Sequence, residues 1–212
     1  MRSKDTAMKI AVCSTPEQYD QLLSRGVPVG VTVIMQSCDE PVTIEADIYI
    51  DLLFDGAKPV FGNITAHPVF VNEVIAINRT LPANFIRLNG WNSFLERDML
   101  ELAINDTKFF TDGTSALQNL GWKYQTAPDL PGMISARIIA MLINEAYFAL
   151  AEDLSTKEEI DIAMRTGTNY PYGPFEWSRK IGLRNVYELL EELSRENERY
   201  LPAPNMAQDL IM

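Results

Sequence analysis

The sequence predicts two domains of different class, an α/β domain over residues 1–126 and an all-helical domain over residues 127–212. Two observations carry this. The first part holds short runs rich in Val, Ile and Phe, with one capped helical stretch among them. Such runs are strand signals, and the order strand, helix, strand, strand reads as an α/β sheet. From about Asp129 the apolar residues recur at spacings of three and four, the helical period. The first domain has only about 120 residues, too few for a full doubly wound nucleotide-binding fold.

Taken in order, Lys9 to Cys13 is a short β-type run. TPEQYDQLLSRG follows as a helix, with Thr15 or Ser14 as its cap and Gly26 as its stop. Pro16 takes the first helical position, where its missing N–H costs nothing. VGVTVIMQS reads as a buried strand, and ADIYIDLLFD and PVFVNEVIA read as two more. NFIRLNGWNSFLERDMLEL, residues 84–102, reads as a strand that runs into a polar loop and then an acidic helix; Asn89, Asn92 and Glu101 lie close together in it. In the second domain, PDLPGMISARIIAMLINEAYFALAEDLS starts a helix at Pro131 and Gly132. It is apolar on so many sides that it must be buried against several neighbours or across a dimer interface. STKEEIDIAMRTG has Ser155 and Glu158 at capping-box spacing and Gly167 as its stop. NYPYGPFEW is a structured loop that turns into the next helix. LRNVYELLEELSRENERY is amphipathic, with Val186, Leu189, Leu190 and Leu193 on one side. Tyr200, Pro202 and Pro204 lie in an extended tail.

Composition narrows the function. Hydrophobic residues make up 47% and charged residues 22% of the 212, as in a folded globular protein. A net charge of -11 argues against a nucleic-acid partner, because phosphate binding needs clustered Lys and Arg. Cys13 and Cys38 have no metal-type spacing partner, and two cysteines are too few for a disulfide scaffold. Cys13 reads as a small core residue. His67 is the one histidine, so no multi-His metal site can form and no metal is expected. His67 reads as a structural or surface residue. MRSKDTAMKIAV has too short an apolar run for a signal peptide. The longest apolar segment, around residues 138–151, holds Asn144 and Glu145 and is shorter than a membrane span. The expectation is a cytoplasmic protein with no membrane partner.

A set of residues in the second domain runs in a recognisable order: Asp129, Pro131, Gly132, Arg137, Asn144 to Ala146, Asp161, Gly167, PYGPFEW from Pro171 to Trp177, Gly182-Leu183, and RYLPAP from Arg199 to Pro204. Together they resemble the C-terminal domain of the 3-hydroxyacyl-CoA dehydrogenases over residues 127 to 206. The resemblance implies a helical domain of the 6-phosphogluconate dehydrogenase C-terminal-like type. It also implies a homodimer and a flanking acyl-CoA site, and it makes the first domain a reduced Rossmann-like sheet. In that family the dinucleotide-binding domain opens with a strand and GxGxxG, whose glycines let backbone amides approach a pyrophosphate. Here KIAV is followed by CSTPEQYDQL, with no glycine between Cys13 and Arg25, and Pro16 removes a donor. Asp39 and Asp47 are candidate ribose-binding acids but read better as surface carboxylates. NAD therefore enters by resemblance alone, and the expectation is no bound cofactor of the usual kind.

In the family a His takes the substrate's hydroxyl proton, an Asn lies in the same segment, and a Glu orients the imidazole. The resemblance puts Asn89 at the His, Asn92 at the Asn and Glu101 at the Glu. An amide has no usable pKa and cannot act as the base. Losing a general base lowers the rate by about two to four orders of magnitude, roughly 3–5 kcal/mol. Ala136, just before Arg137, stands where the family has a substrate-contacting Asn. Asn72 in VNEV is what remains of a serine-rich segment. Arg97, Lys108 and Arg137 are the basic residues able to meet a CoA phosphate. Read without the resemblance, Asn89 and Asn92 satisfy backbone groups in a turn and Glu101 is a surface carboxylate. The functional expectation is a 3-hydroxyacyl-CoA dehydrogenase-like protein of fatty-acid or hydroxybutyryl-CoA metabolism. It lacks standard NAD-linked activity and binds an acyl-CoA or a partner. The alternative is an active dehydrogenase of atypical site, with Glu101 alone or His67 as the base.

Overall fold

A computed structural model describes residues 8–39, 42–54 and 56–211. It divides into two compact units, Met1–Met133 and Ile134–Met212. The last strand and the turn after it thus belong with the sheet, whereas the division expected from sequence lay at 126/127.

The first unit holds one seven-stranded sheet. Its strands are β1 (Met8–Cys13), β2 (Val31–Met35), β3 (Ile48–Asp51), β4 (Val69–Asn72), β5 (Phe85–Leu88), β6 (Leu100–Ala103) and β7 (Tyr124–Ala127), in the spatial order β2-β1-β3-β4-β5-β6-β7. The strands from β2 to β5 run parallel, β6 is antiparallel to β5, and β7 is parallel to β6. The order reverses at β1, which makes β1/β3 the switch point of the sheet. Where the full dinucleotide fold carries two strands beyond β1, the described residues carry β2 alone, so the sheet is a reduced Rossmann-like one.

Alternate strand residues feed opposite faces, as the period of two requires. Ile10 and Val12 of β1 join Ile48, Ile50, Phe70, Ile86 and Leu102 in one core. Ala11 and Cys13 join Tyr49, Phe61, Val69, Val71 and Phe85 in the other. Both faces being covered explains the near-continuous apolar runs. β2 departs from the expected buried strand: it is the sheet edge, mostly half-buried, with Met35 43% exposed. The acidic helix expected at the end of residues 84–102 is not formed. Leu100–Ala103 is strand β6, buried between β5 and β7, because Leu100 and Leu102 enter one core while Ala103 enters another.

The two cysteines also depart from expectation. Cys13 is fully buried, as a core residue should be, but it forms a disulfide with Cys38. The parallel pairing of Val12 with Met35 carries the two chain ends past their strands side by side, and the Cα atoms lie 5.6 Å apart. That separation suits a disulfide.

The helices of the first unit are α1 (Pro16–Leu23) and α2 (Lys108–Asn119). The second unit is all helical, with α3 (Ser135–Ala151), α4 (Lys157–Thr168), α5 (Pro174–Ile181), α6 (Leu183–Ser194) and α7 (Met206–Asp209). α3 starts later than expected, because Gly132 and Met133 take φ of 77° and 45° and form a turn. The capping box of α4 uses Thr156 and Glu159, one residue beyond the expected pair, while Ser155 Oγ donates to Glu159 Oε2 at 2.7 Å. Gly167 lies inside α4, which ends at left-handed Asn169. Asp161 of α4 caps α5 from a distance, accepting from Phe175 N at 2.7 Å and Glu176 N at 3.1 Å. A Cβ at Gly173 would collide with Asp161, which accounts for that glycine. Asn144 fixes the tail, with Oδ1 accepting from Ala203 N at 2.8 Å and Nδ2 donating to Leu201 O at 2.9 Å. Among the described residues no helix is long and apolar enough to cross a membrane. No group of three possible metal ligands occurs among them either.

Candidate functional site

β1, β3, β4 and β5 all end on one edge of the sheet, at Cys13, Asp51, Asn72 and Leu88. In sheets of this kind ligands bind outside the carboxyl ends of the strands. The pairing of Leu88 with Leu102 sets Asn89 and Glu101 opposite each other, and Asn89 N donates to Glu101 O at 3.0 Å. The side chains meet as well. Asn89 Nδ2 donates to Glu101 Oε2 at 3.3 Å, and Asn89 Oδ1 accepts from Trp91 N at 3.4 Å. Asn89 is 2% and Glu101 5% exposed. Asn92 is half-buried in the turn that follows, next to Ser93 at φ 72°.

Side-chain amides hold this turn against the rest of the edge. Gly90 N donates to Asn72 Oδ1 at 2.9 Å, and Asn72 Nδ2 donates to Leu52 O at 3.3 Å. Gln18 Nε2 from α1 reaches both Leu52 O, at 3.2 Å, and Gly90 O, at 3.4 Å. A Cβ at Gly90 would sit 2.9 Å from Asn72 Cγ, so only glycine permits this approach. The loop before β6 is clamped to the end of α1: Arg25 Nη2 donates to Leu95 O at 2.6 Å and to Arg97 O, and its Nη1 donates to Asp98 O at 3.2 Å. Burial lowers the Arg25 pKa, and the charge of Asp98 opposes that. Arg97 lies over the Phe94 ring, 4.0 Å from its centroid. Burial lowers its pKa too, and here the opposing charge is that of Glu101.

The amino end of α1 is where a dinucleotide's pyrophosphate would need free N–H groups. Thr15 N donates to Gln18 Oε1 at 3.0 Å and Gln18 N to Thr15 Oγ1 at 3.2 Å, a closed capping box. Pro16 has no N–H, and Glu17 adds a carboxylate to the first turn. These residues do not fit a pyrophosphate. Asp47 accepts from Lys9 N at 3.0 Å and precedes β3, so it lies at the opposite edge from the switch point. Asp39 follows β2 on the carboxyl edge and is exposed.

His67 does not approach Glu101. It precedes β4, and the pairing of Val69 with Phe85 sets it at the amino edge. Strand rise then puts it roughly 20 Å along the sheet from Asn89. Its exposed ring neighbours Tyr49, with centroids 6.1 Å apart. Lys108 is exposed at the start of α2. In the second unit Ala136 is fully buried in α3, and Arg137 is half-buried with its guanidinium 5.6 Å from the Tyr200 ring centroid.

Residues 132–211 match the family model for the 3-hydroxyacyl-CoA dehydrogenase C-terminal domain. Over that stretch the chain carries the 3-hydroxyacyl-CoA dehydrogenase C-terminal domain. It is 40% identical over 98 residues to 3-hydroxyadipyl-CoA dehydrogenase of Escherichia coli, covering 45% of this chain and 21% of that protein. It is 30% identical over 128 residues to 3-hydroxybutyryl-CoA dehydrogenase of Bradyrhizobium diazoefficiens, covering 58% of this chain and 44% of that protein. The match thus spans less than half the length of either relative. Among solved structures, (S)-3-hydroxybutyryl-CoA dehydrogenase of Ralstonia eutropha superposes with a TM-score of 0.71 at 20% identity, covering 97% of this chain and 94% of that one. FadB2 of M. tuberculosis superposes with a TM-score of 0.72 at 14% identity, covering 98% and 94%. At these identities the superpositions speak to the fold: a Rossmann-like domain followed by the helical one.

Of the residues named from sequence, the sheet brings Asn89 to Glu101 and Asn72 to Gly90. Gln18 and Arg25, which also hold this edge, were not named as site residues from sequence. Gln18 had a visible signal, because Thr15 and Gln18 stand at capping-box spacing. Arg25 had none, since its partners are backbone carbonyls some 70 residues away, at separations of 70 to 73.

Proposed function

We propose that this 3-hydroxyacyl-CoA dehydrogenase-family chain binds an acyl-CoA-type thioester without carrying out standard NAD-linked hydride transfer. The carrying observation is the Asn89 amide hydrogen-bonded to the buried Glu101 carboxylate, where the resemblance puts a His base. An amide orients a ligand oxygen but does not take its proton near neutral pH. Asn89 has a second Nδ2 hydrogen to offer such an oxygen, and Asn92 follows in the next turn. The closed capping box of α1 supports the same reading, since it leaves a pyrophosphate poorly served. The named relatives are dehydrogenases of 3-hydroxyacyl-CoA thioesters, which supports an acyl-CoA ligand from fatty-acid or hydroxybutyryl-CoA metabolism. We propose a cytoplasmic homodimer, with exposed Ile138 of α3 and Ile134 just before it in the contact.

The test is NADH oxidation with acetoacetyl-CoA beside calorimetric titration of acetoacetyl-CoA and of NADH. Heat of binding from the thioester alone, without turnover, is the expected result. Turnover that collapses in Glu101→Gln would sink the proposal and establish the second reading, a dehydrogenase with the buried Glu101 carboxylate as its base. Sedimentation as a monomer at micromolar concentration would remove the dimer.

A further inference from the structure

We propose that the Cys13–Cys38 disulfide is a reversible redox latch, opened by dithiol reductants, on the carboxyl edge of the sheet. The inference stands apart from the acyl-CoA reading. The bond joins the end of central strand β1 to the chain leaving β2, so it ties down an edge strand, which has a neighbour on one side only. Its two ends differ in access. Cys13 is 0% exposed, whereas Cys38 is half-buried between exposed Ser37 and Asp39. Cys38 is therefore the end of the bond that an attacking thiolate would approach.

A second observation points to an opening rather than a static staple. Ser14 Oγ, next to Cys13, and Gln36 Oε1, two residues before Cys38, are buried oxygens with no hydrogen-bond partner. Ser14 is 8% and Gln36 5% exposed. Buried polar atoms without partners destabilise the state that holds them. Both belong to the latched state, and both gain water when the end of β2 moves off. Opening thus recovers part of what breaking the cross-link loses, and brings the two states closer in free energy.

The chemistry balances as ordinary exchange. A thiolate of the dithiol attacks Cys38 Sγ, the Cys13–Cys38 bond breaks, and Cys13 leaves and takes a proton. The second thiol attacks the mixed disulfide, releasing Cys38 as a thiol and the reductant as its own disulfide. Two electrons pass from the dithiol to the protein. In a reducing compartment, where lasting disulfides are rare, the latch stands open and closes under oxidation.

The experiment equilibrates the full chain, without denaturant, across ratios of reduced to oxidised dithiothreitol. Iodoacetamide quenches each sample, and intact mass with peptide mapping reads the labels. The expected result is a single reversible transition, with Cys38 alkylated roughly tenfold faster than Cys13. Amide exchange at residues 14–18 and 36–39 should rise in the reduced form, with the second unit unchanged. Free thiols in oxidised protein would overturn the proposal, as would reduction that proceeds only after unfolding or exchange that does not respond. Cys38→Ser should show the reduced exchange pattern; if that variant does not fold, the wild-type titration decides alone.

Discussion

Asn89→Asp tests the candidate site most directly. Asn89 Nδ2 and Glu101 Oε2 lie 3.3 Å apart, in side chains 2% and 5% exposed. The substitution keeps the shape and turns a donor into a second carboxylate. Two unit charges at that distance repel by about 5 kcal/mol at an effective dielectric of about 20. The pair escapes the full penalty by holding one proton between them. Keeping a carboxyl of ordinary pKa near 4 protonated at pH 7 costs about 4 kcal/mol, at about 1.4 kcal/mol per unit. The loss at pH 7 is therefore at most about 4 kcal/mol, and the nearby charge of Arg97 offsets part of it. The sign with pH follows from the raised folded-state pKa of the shared carboxyl. The folded variant holds a proton that the unfolded chain releases, so the deficit is absent below the unfolded pKa and grows as pH rises towards the folded one. Urea unfolding followed by tryptophan fluorescence from pH 4.5 to 8 measures this. The variant should approach wild type at the acid end and fall well below it at pH 7. Adding Glu101→Gln should recover most of the loss, since it restores one donor and one carboxylate. Equal stability at pH 7 with a flat profile would refute the side-chain pairing on which the proposed function rests.

Asp161→Ala removes the acceptor for Phe175 N and Glu176 N; chemical unfolding should show a loss of about 2–4 kcal/mol, smaller for Asp161→Asn. Arg87 is fully buried and pairs with Asp129 at 2.5 Å while its other nitrogens serve the carbonyls of Glu73 and Val74. Arg87→Met should lower stability by about 3–5 kcal/mol, because a buried pair that loses one member leaves uncompensated polar groups; a change under 1 kcal/mol would contradict the packing described. Cys13 and Cys38 are 25 residues apart in the chain, and cross-linking a loop of that length stabilises by about 3.5 kcal/mol through chain entropy. A calorimetric scan with and without reductant reads that difference, less whatever the partnerless oxygens give back. For Asp209, burial pushes the pKa up, but hydrogen bonds from Lys157 and Tyr147 and the Lys157 charge outweigh it and leave the pKa lowered. Its contribution is therefore present above the unfolded aspartate pKa and lost as pH falls through the lowered folded value. Amide exchange across α7 should stay protected down to about pH 4 and rise below it.

Much of this protein follows from local sequence alone. The period of three and four after Asp129 makes the second unit helical whatever surrounds it. Thr15 and Pro16 start α1 by chemistry contained within one turn. The short apolar runs of β1, β3, β4 and β5 are strands because both their faces need burial. The resemblance set was legible for a related reason: Asp161, Gly173 and Asn144 hold the helical unit together, and their residue types stand at set spacings along the chain. Tertiary structure decided the rest. LEL at residues 100–102 reads as a helix beside Glu96 and Asp98, and becomes strand β6 only because β5 and β7 lie on either side. β2 is an edge only because no described strand pairs beyond it. Asn89 meets Glu101 across 12 residues, the cysteines meet across 25, and Gln18 reaches Gly90 across 72. Periodicity and capping are properties of neighbouring residues and can be read from them. Pairing across a sheet brings together residues whose separation along the chain carries no signal of their contact, so it appears only once the strands are in register.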